Sequence, residues 1–284
     1  MTQQAVAIVT DSAAGLPGSL VETLRIGVAC YWVHVGGRSY VDGVDLLPEA
    51  FYPMLRAQQT PDVSTGVPAP EMFTELYRQA AHWAKAVVSV HLAGKQSGTC
   101  DAARLGAQAS PVPVTVIDTG TTAMAEGFVA LEAARLAQAG ASLEEVTARA
   151  QQTVANVSLM ALLESVTFAV KGGRLAGAAR LLGNLLQIQP LIRVEQNKLA
   201  VIGQVRRRHT GLRQLCVRIM ERVGNAPVRL TVHYTEDEAE GQGVLDELTR
   251  RLHCIETFLT RTPVALGVHA GPGAIGVAYH IEKG

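Results

Sequence analysis

His269 opens the octet His269-Ala-Gly-Pro-Gly-Ala-Ile-Gly276, in which Gly271, Gly273 and Gly276 match the dinucleotide fingerprint G-x-G-x-x-G. That fingerprint holds a pyrophosphate only where a strand enters the glycine turn and a helix leaves it, with an acidic residue about 20 positions on. Here Ile275 to Ile281 reads as a strand and the sequence ends at Gly284, so a crossover helix has no room. A nucleotide site is rejected. The octet is expected instead to join a strand at Val264 to His269 to a closing strand through a tight Gly-Pro-Gly turn. With so little side-chain bulk nearby, His269 is free to face a group that approaches the backbone closely.

Three other segments carry groups that could hold an anion. Ser97-Gly98-Thr99 follows a strand and starts a helix, where backbone N–H groups and the positive end of the helix dipole favour negative charge. On its residues alone Ser97 reads first as a plain helix cap. It is a poor nucleophile candidate, because a nucleophile elbow wants glycine two positions earlier and Lys95 stands there. Thr65-Gly66-Val67-Pro68-Ala69-Pro70 leads into a helix, with Pro70 suited to its first turn and Thr65 offering a hydroxyl from the preceding loop. Lys171-Gly172-Gly173-Arg174 ends a helical run and presents a planar guanidinium, which pairs with a carboxylate or phosphate, or with a surface acid. The basic run Arg206-Arg207-Arg208-His209 reads as a solvated face.

Composition narrows the classes. Lys plus Arg and Asp plus Glu are 25 each, which leaves no electrostatic footprint for nucleic acid or an anionic membrane surface. Cys30, Cys100, Cys216 and Cys254 form no C-x-x-C pair and the eight histidines no H-x-x-x-H pair, so neither a metal site nor a disulfide framework is expected. The N-terminus lacks a basic segment followed by a long apolar one, and no apolar run approaches the ~20 residues of a membrane span. A soluble cytoplasmic protein is expected.

The elements that must position these residues alternate in the first half. Apolar runs at Ala5 to Val9, Ala86 to Val90 and Val112 to Ile117 interleave with helical periodicity at Pro70 to Ala81, Thr99 to Gln108 and Ala123 to Ala139. That order predicts βαβ units and a mainly parallel sheet flanked by helices, with Asp11-Ser12, Ser97 and Asp118 at its carboxyl edge. After Gly140 the pattern changes. Ser142 and Glu145 form a capping box, Ser158 to Leu163 reads as a strand, and Pro190 to Val194 with Leu199 to Gly203 reads as a hairpin. Further strands fall at Val228 to Tyr234 and Glu256 to Arg261. The fold class is therefore α/β, with an α/β domain over residues 1–155 and an α+β domain with a mixed or antiparallel sheet over residues 156–284.

Taken together, Asp11-Ser12, Tyr40-Val41-Asp42-Gly43-Val44-Asp45, Thr65 to Pro70, Ser97-Gly98-Thr99, Lys171 to Arg174 and His269 to Gly276 resemble the DegV family in order and spacing. The resemblance spans essentially the whole chain and implies a bacterial fatty-acid-binding protein without a cofactor. Some members present the acid to a separate fatty acid kinase that phosphorylates its carboxylate. It further implies that Thr65, Ser97 and His269 hold the carboxylate and that Arg174 serves phosphoryl transfer beside the head group. The sequence departs from the family pattern at Gly66, Ala93-Gly94, Cys100 and Thr119.

The chemistry agrees with that implication. A buried carboxylate needs charge-assisted donors, and two hydroxyls with an imidazole supply them without a fixed full charge. Some 15 methylenes at roughly 0.8 kcal/mol each add about 10 kcal/mol on burial. The competing readings are an acyl hydrolase or transferase using Ser97 and His269, and a lipid-responsive regulatory protein. No orienting acid for a catalytic triad stands out in the sequence.

Overall fold

The computed structural model describes residues 4–57, 62–175 and 188–282. Its first half runs β1 (Gln4–Asp11), α1 (Gly18–Leu24), β2 (Gly27–Ala29), β3 (Trp32–Val35), β4 (Arg38–Val41), α2 (Pro48–Ala57) and β5 (Val63–Gly66). There follow α3 (Pro70–Ala81), β6 (Ala84–His91), α4 (Thr99–Ala107), β7 (Val114–Asp118), α5 (Met124–Gln138) and α6 (Leu143–Val154). The second half begins with β8 (Val157–Leu162), α7 (Thr167–Lys171), β9 (Gln189–Glu195), β10 (Lys198–Val205) and α8 (Arg208–Val223). It closes with β11 (Val228–Tyr234), α9 (Glu238–Thr249), β12 (Cys254–Arg261), α10 (Val264–Ala270) and β13 (Ile275–Ile281).

A four-stranded parallel sheet, ordered β2-β1-β6-β7, forms the centre of the first half. Side chains of a strand alternate between faces, and β1 shows why both need helices. Val6 and Ile8 pack with residues of α5 and α6, whereas Ala7 and Val9 pack with Phe73 and Tyr77 of α3. The strand order reverses between β1 and β6. Ligands of open α/β sheets gather at the carboxyl edge of such a switch point, and Asp11, Leu92 and the Ser97 loop all lie there. A small antiparallel sheet, β4-β3-β5, stands apart from the main one.

The second half builds a mixed six-stranded sheet, β10-β9-β8-β13-β11-β12, in which only β11 and β12 run parallel. One face, with Met160, Leu162, Leu191, Leu230 and Val277, packs with residues of α8 and α9. On the other face, Leu159, Val194 and Ala278 join the core around α5. The expected α/β class with a flanked parallel sheet and a mixed sheet is what the chain adopts. The expected hairpin is present too: Gln196 and Asn197, at φ 49° and 60°, give the two positive-φ residues of a tight turn. Ser142 and Glu145 close their capping box.

Two local expectations are overturned. Val264 to His269 is helical, not a strand: α10 starts after Pro263 and ends at Gly271, whose φ is 75°. A short apolar run is compatible with either element, and the proline before it is the start signal that favours helix. Thr65 sits in β5, paired with Val33, rather than in a loop. Among the described residues no helix is long and apolar enough to cross a membrane.

Candidate functional site

Thr65, Ser97, Arg174 and His269 come from four separate segments, yet all line one cavity of about 1000 Å³, mouth included. Apolar side chains make up most of its wall, among them Leu159, Ala161 and Leu163 of the β8 segment, Ile192 and Val194 of β9 and Leu199 of β10. This is the sheet face turned away from α8 and α9. The polar residues fall into two groups: Thr65 Oγ1 lies 3.0 Å from His269 Nε2, and Arg174 donates to the carbonyl of Gln96, the neighbour of Ser97, at 3.2 Å. Arg174 also donates to the carbonyl of Gly172 at 2.5 Å. Among the described residues it has no carboxylate partner, so its charge remains available beside the cavity.

His269 enters on α10 and Thr65 on β5, and their contact ties the small sheet to that helix. Burial, and then the positive charge of Arg174, push the His269 pKa down to about 4, so the imidazole is neutral at pH 7. Its Nδ1 is buried and lacks a hydrogen-bond partner among the described residues. Ser97 does not cap α4: Gly98 is the N-cap, and no side-chain cap bond forms. Its hydroxyl bonds instead to Tyr31 at 2.9 Å and to Thr99 at 2.8 Å. No bond joins it to His269.

The segments Asp11-Ser12 and Asp42 act as scaffolding beneath the site. Asp11 accepts from Ala13 N at 3.1 Å, and Ser12 Oγ donates to Asp42 at 2.7 Å while accepting from Tyr31 N at 3.1 Å. Asp42 also accepts from Val264 N, the first residue of α10. One carboxylate thereby sets the β1 turn, the Tyr31 loop and the helix that carries His269. Desolvation raises its pKa to about 6. Asp118 does a similar service across the two halves. It accepts from Gly94 N, Gly120 N and Asn197 Nδ2, so the tip of the β9–β10 hairpin is bound to the loop before Ser97. A Cβ on Gly94 would lie 2.7 Å from Asp118 Oδ2, which accounts for the glycine there.

Asp11, His91 and Glu126 bring potential metal-ligating atoms within 4.8 Å of one another in the core. Their geometry is that of a hydrogen-bonded chain: Asp11 meets His91 Nδ1 at 2.9 Å, and His91 Nε2 meets Ser89 at 2.7 Å. Burial, then the Asp11 charge, raise the Glu126 pKa well above the usual range, so this carboxyl keeps its proton. Two cavity residues carried no signal in the sequence, Tyr31 and His233. The latter accepts from Met124 N on Nε2 and meets Thr260 on Nδ1, so its neutral form carries the proton on Nδ1 and no polar atom is left for a ligand. Arg208 of the basic run pairs with Glu240, and Arg206 and Arg207 are exposed.

This architecture defines a class: a flanked parallel sheet and a mixed sheet that together enclose a mostly apolar cavity with a few polar residues in its wall. The family model described as uncharacterised protein, DegV family, matches residues 5–282. A DegV domain-containing protein of Streptomyces coelicolor is 34% identical over 274 residues, covering 96% of this chain and 97% of its own. Among solved structures, one described as showing fatty acid binding of a DegV family protein from Thermus thermophilus superposes with a TM-score of 0.90. It is 28% identical and covers 98% of this chain and 100% of its own. A DegV lipid-binding protein from Thermotoga maritima follows at 0.88, with 25% identity over 98% of this chain and 99% of its own. The chain belongs to the DegV family.

Proposed function

We propose that this protein binds one long-chain fatty acid, with the carboxylate at Thr65, Ser97 and His269 and the tail along the apolar wall. The observation that carries the reading is the makeup of the cavity: a mostly apolar lining that also holds the Thr65–His269 pair, Ser97 and Arg174. An amphiphile with a single anionic end fits such a lining, because the tail gains from burial while the head keeps charge-assisted donors. The Thermus and Thermotoga relatives, described as binding fatty acid and lipid, support the same reading.

The carrier role extends from there. Arg174, without an acidic partner among the described residues, stands beside the head group, where a fork of donors stabilises phosphoryl oxygens. A separate fatty acid kinase would bring ATP and phosphorylate the bound carboxylate, so the chain itself supplies binding and orientation. The hydrolase alternative loses ground on geometry: Ser97 and His269 engage other partners, and a nucleophile needs its base within hydrogen-bond reach. Solvent extraction of the purified protein followed by mass spectrometry tests the reading. Intact C14–C18 acid in about one-to-one ratio is expected on the strength of the buried tail. Recovery of nucleotide, of sugar phosphate or of no lipid would remove it.

A further inference from the structure

Tyr31 follows β2, is 5% exposed, and lines the cavity beside Ser97. Its phenol lies 2.9 Å from Ser97 Oγ and also bonds Thr99 Oγ1, while Ser97 and Thr99 are 2.8 Å apart. The three hydroxyls close a triangle. If each oxygen donates once and accepts once, all three protons are consumed within the ring and none is left for a ligand. Thr99 is fully buried and is not part of the cavity wall, whereas Tyr31 and Ser97 are. An anion that enters therefore opens the ring on the side of those two residues, and Thr99, with a single proton, keeps donating to one of them from behind.

The backbone of Tyr31 is clamped on both sides. Its N–H donates to Ser12 Oγ at 3.1 Å, and its carbonyl accepts from Asp42 N at 2.9 Å. The ring is thus set before any ligand arrives, which lowers the ordering cost of binding. Burial, and then the nearby Asp11 carboxylate, hold the phenol in its protonated, donating form.

We propose that Tyr31 donates directly to the bound carboxylate and forms with Ser97 a two-hydroxyl fork, opposite the Thr65–His269 pair. The proposal rests on the fatty-acid reading and adds to it a residue that selects the acid over its uncharged analogues. An ionised carboxylate accepts from both arms of the fork, whereas an alcohol oxygen has no charge to reward the second donor.

The test is titration of delipidated protein with hexadecanoate and with hexadecanol. Y31F, which keeps the ring, should weaken the acid about five- to hundred-fold and leave the alcohol within about twofold, the range for one lost donor to a buried anion. T99V should lose less, because it removes only the support. In wild-type protein labelled at tyrosine Cζ, the Tyr31 resonance should move on addition of hexadecanoate and stay in place with hexadecanol, a reading that holds even if Y31F fails to fold. Unchanged acid affinity in a folded Y31F, with S97A weakened, would reduce Tyr31 to a scaffold. So would a Tyr31 resonance indifferent to the acid. Failure of the underlying reading looks different: wild type would then bind no acid, or S97A and Thr65→Ala would bind it as wild type does.

Discussion

The imidazole of His269 stands where a side chain on Gly172 would have to go: a Cβ there would lie 2.2 Å from Nδ1 and 2.8 Å from Cε1. The Gly172-Gly173-Arg174 segment and the His269 octet, nearly 100 residues apart, are thus two halves of one contact. Gly172 has φ −73°, so alanine meets no backbone strain there and acts through bulk alone. Gly172→Ala should displace the imidazole from Thr65 and lower fatty-acid affinity about as much as His269→Ala. Gly173, at φ 76° with open space around it, should behave oppositely. Gly173→Ala should cost roughly 1 kcal/mol of stability and spare binding. Calorimetric titration and melting curves of the two variants separate the effects.

Ser97→Ala and Thr65→Ala should each weaken acid binding about five- to hundred-fold. In the proposed site both hydroxyls address one anion, so the double variant should depart from additivity, and a double-mutant cycle measures by how much. Hexadecanol affinity should change little in either single variant.

Arg174→Ala should leave the acid bound yet abolish most phosphorylation by a cognate kinase, and Arg174→Lys should restore little. Lysine keeps the charge but not the planar fork that reaches two oxygens. Acid retained after purification and acyl-phosphate formed in the presence of ATP are the two quantities to compare. An emptied cavity in Arg174→Ala would instead make the arginine a primary ligand.

Gly276 faces the cavity from β13, and a Cβ on it would make ordinary contacts with Leu159 at 3.5 Å, Ala161 at 3.7 Å and His233 at 3.8 Å. Alanine should therefore be tolerated. Gly276→Leu should fill part of the tail space and shift the co-purified acids to shorter chains, as read by mass spectrometry of the extract.

His269 and His233 both have folded pKa values near 4, against about 6.5 when unfolded. As pH falls from 6.5 towards 4, the unfolded chain takes up protons that the folded protein refuses, so each histidine's contribution to stability is full above 6.5 and is lost across that window. The stability difference between wild type and His269→Gln should shrink by up to about 3 kcal/mol from pH 7 to pH 4. Asp42 works in the opposite sense: its raised pKa, about 6, penalises the folded state above that pH and the penalty fades as pH falls towards 3.8. A bound carboxylate should raise the His269 pKa alone, so acid affinity should increase as pH is lowered from 7 to 5. Imidazole NMR titration of apo and loaded protein checks both statements.

The element pattern was legible because it is local. Apolar strands alternating with 3.6-periodic helices in the first half required a parallel sheet covered on both faces, and the Ser142–Glu145 capping box and the turn at Gln196-Asn197 were readable in a few letters each. Membership of the DegV family was legible as well, since its segments keep their order along the whole chain. The site was legible only as separate pieces. Val264 to His269 is short and apolar enough to suit either element, and beyond the start signal of Pro263 its helical form rests on packing with Val33 and Tyr52 in the core around the small sheet. Tyr31 belongs to no motif, and becomes a site residue because Ser12 and Asp42 hold its backbone beside Ser97. Leu159 and Met160 are equally apolar, and period-two alternation separates them onto opposite faces without saying which face meets helices and which meets a cavity. That choice depended on where α5, α8 and α9 came to rest, and burial of apolar surface has no direction until the layers that supply it are in place.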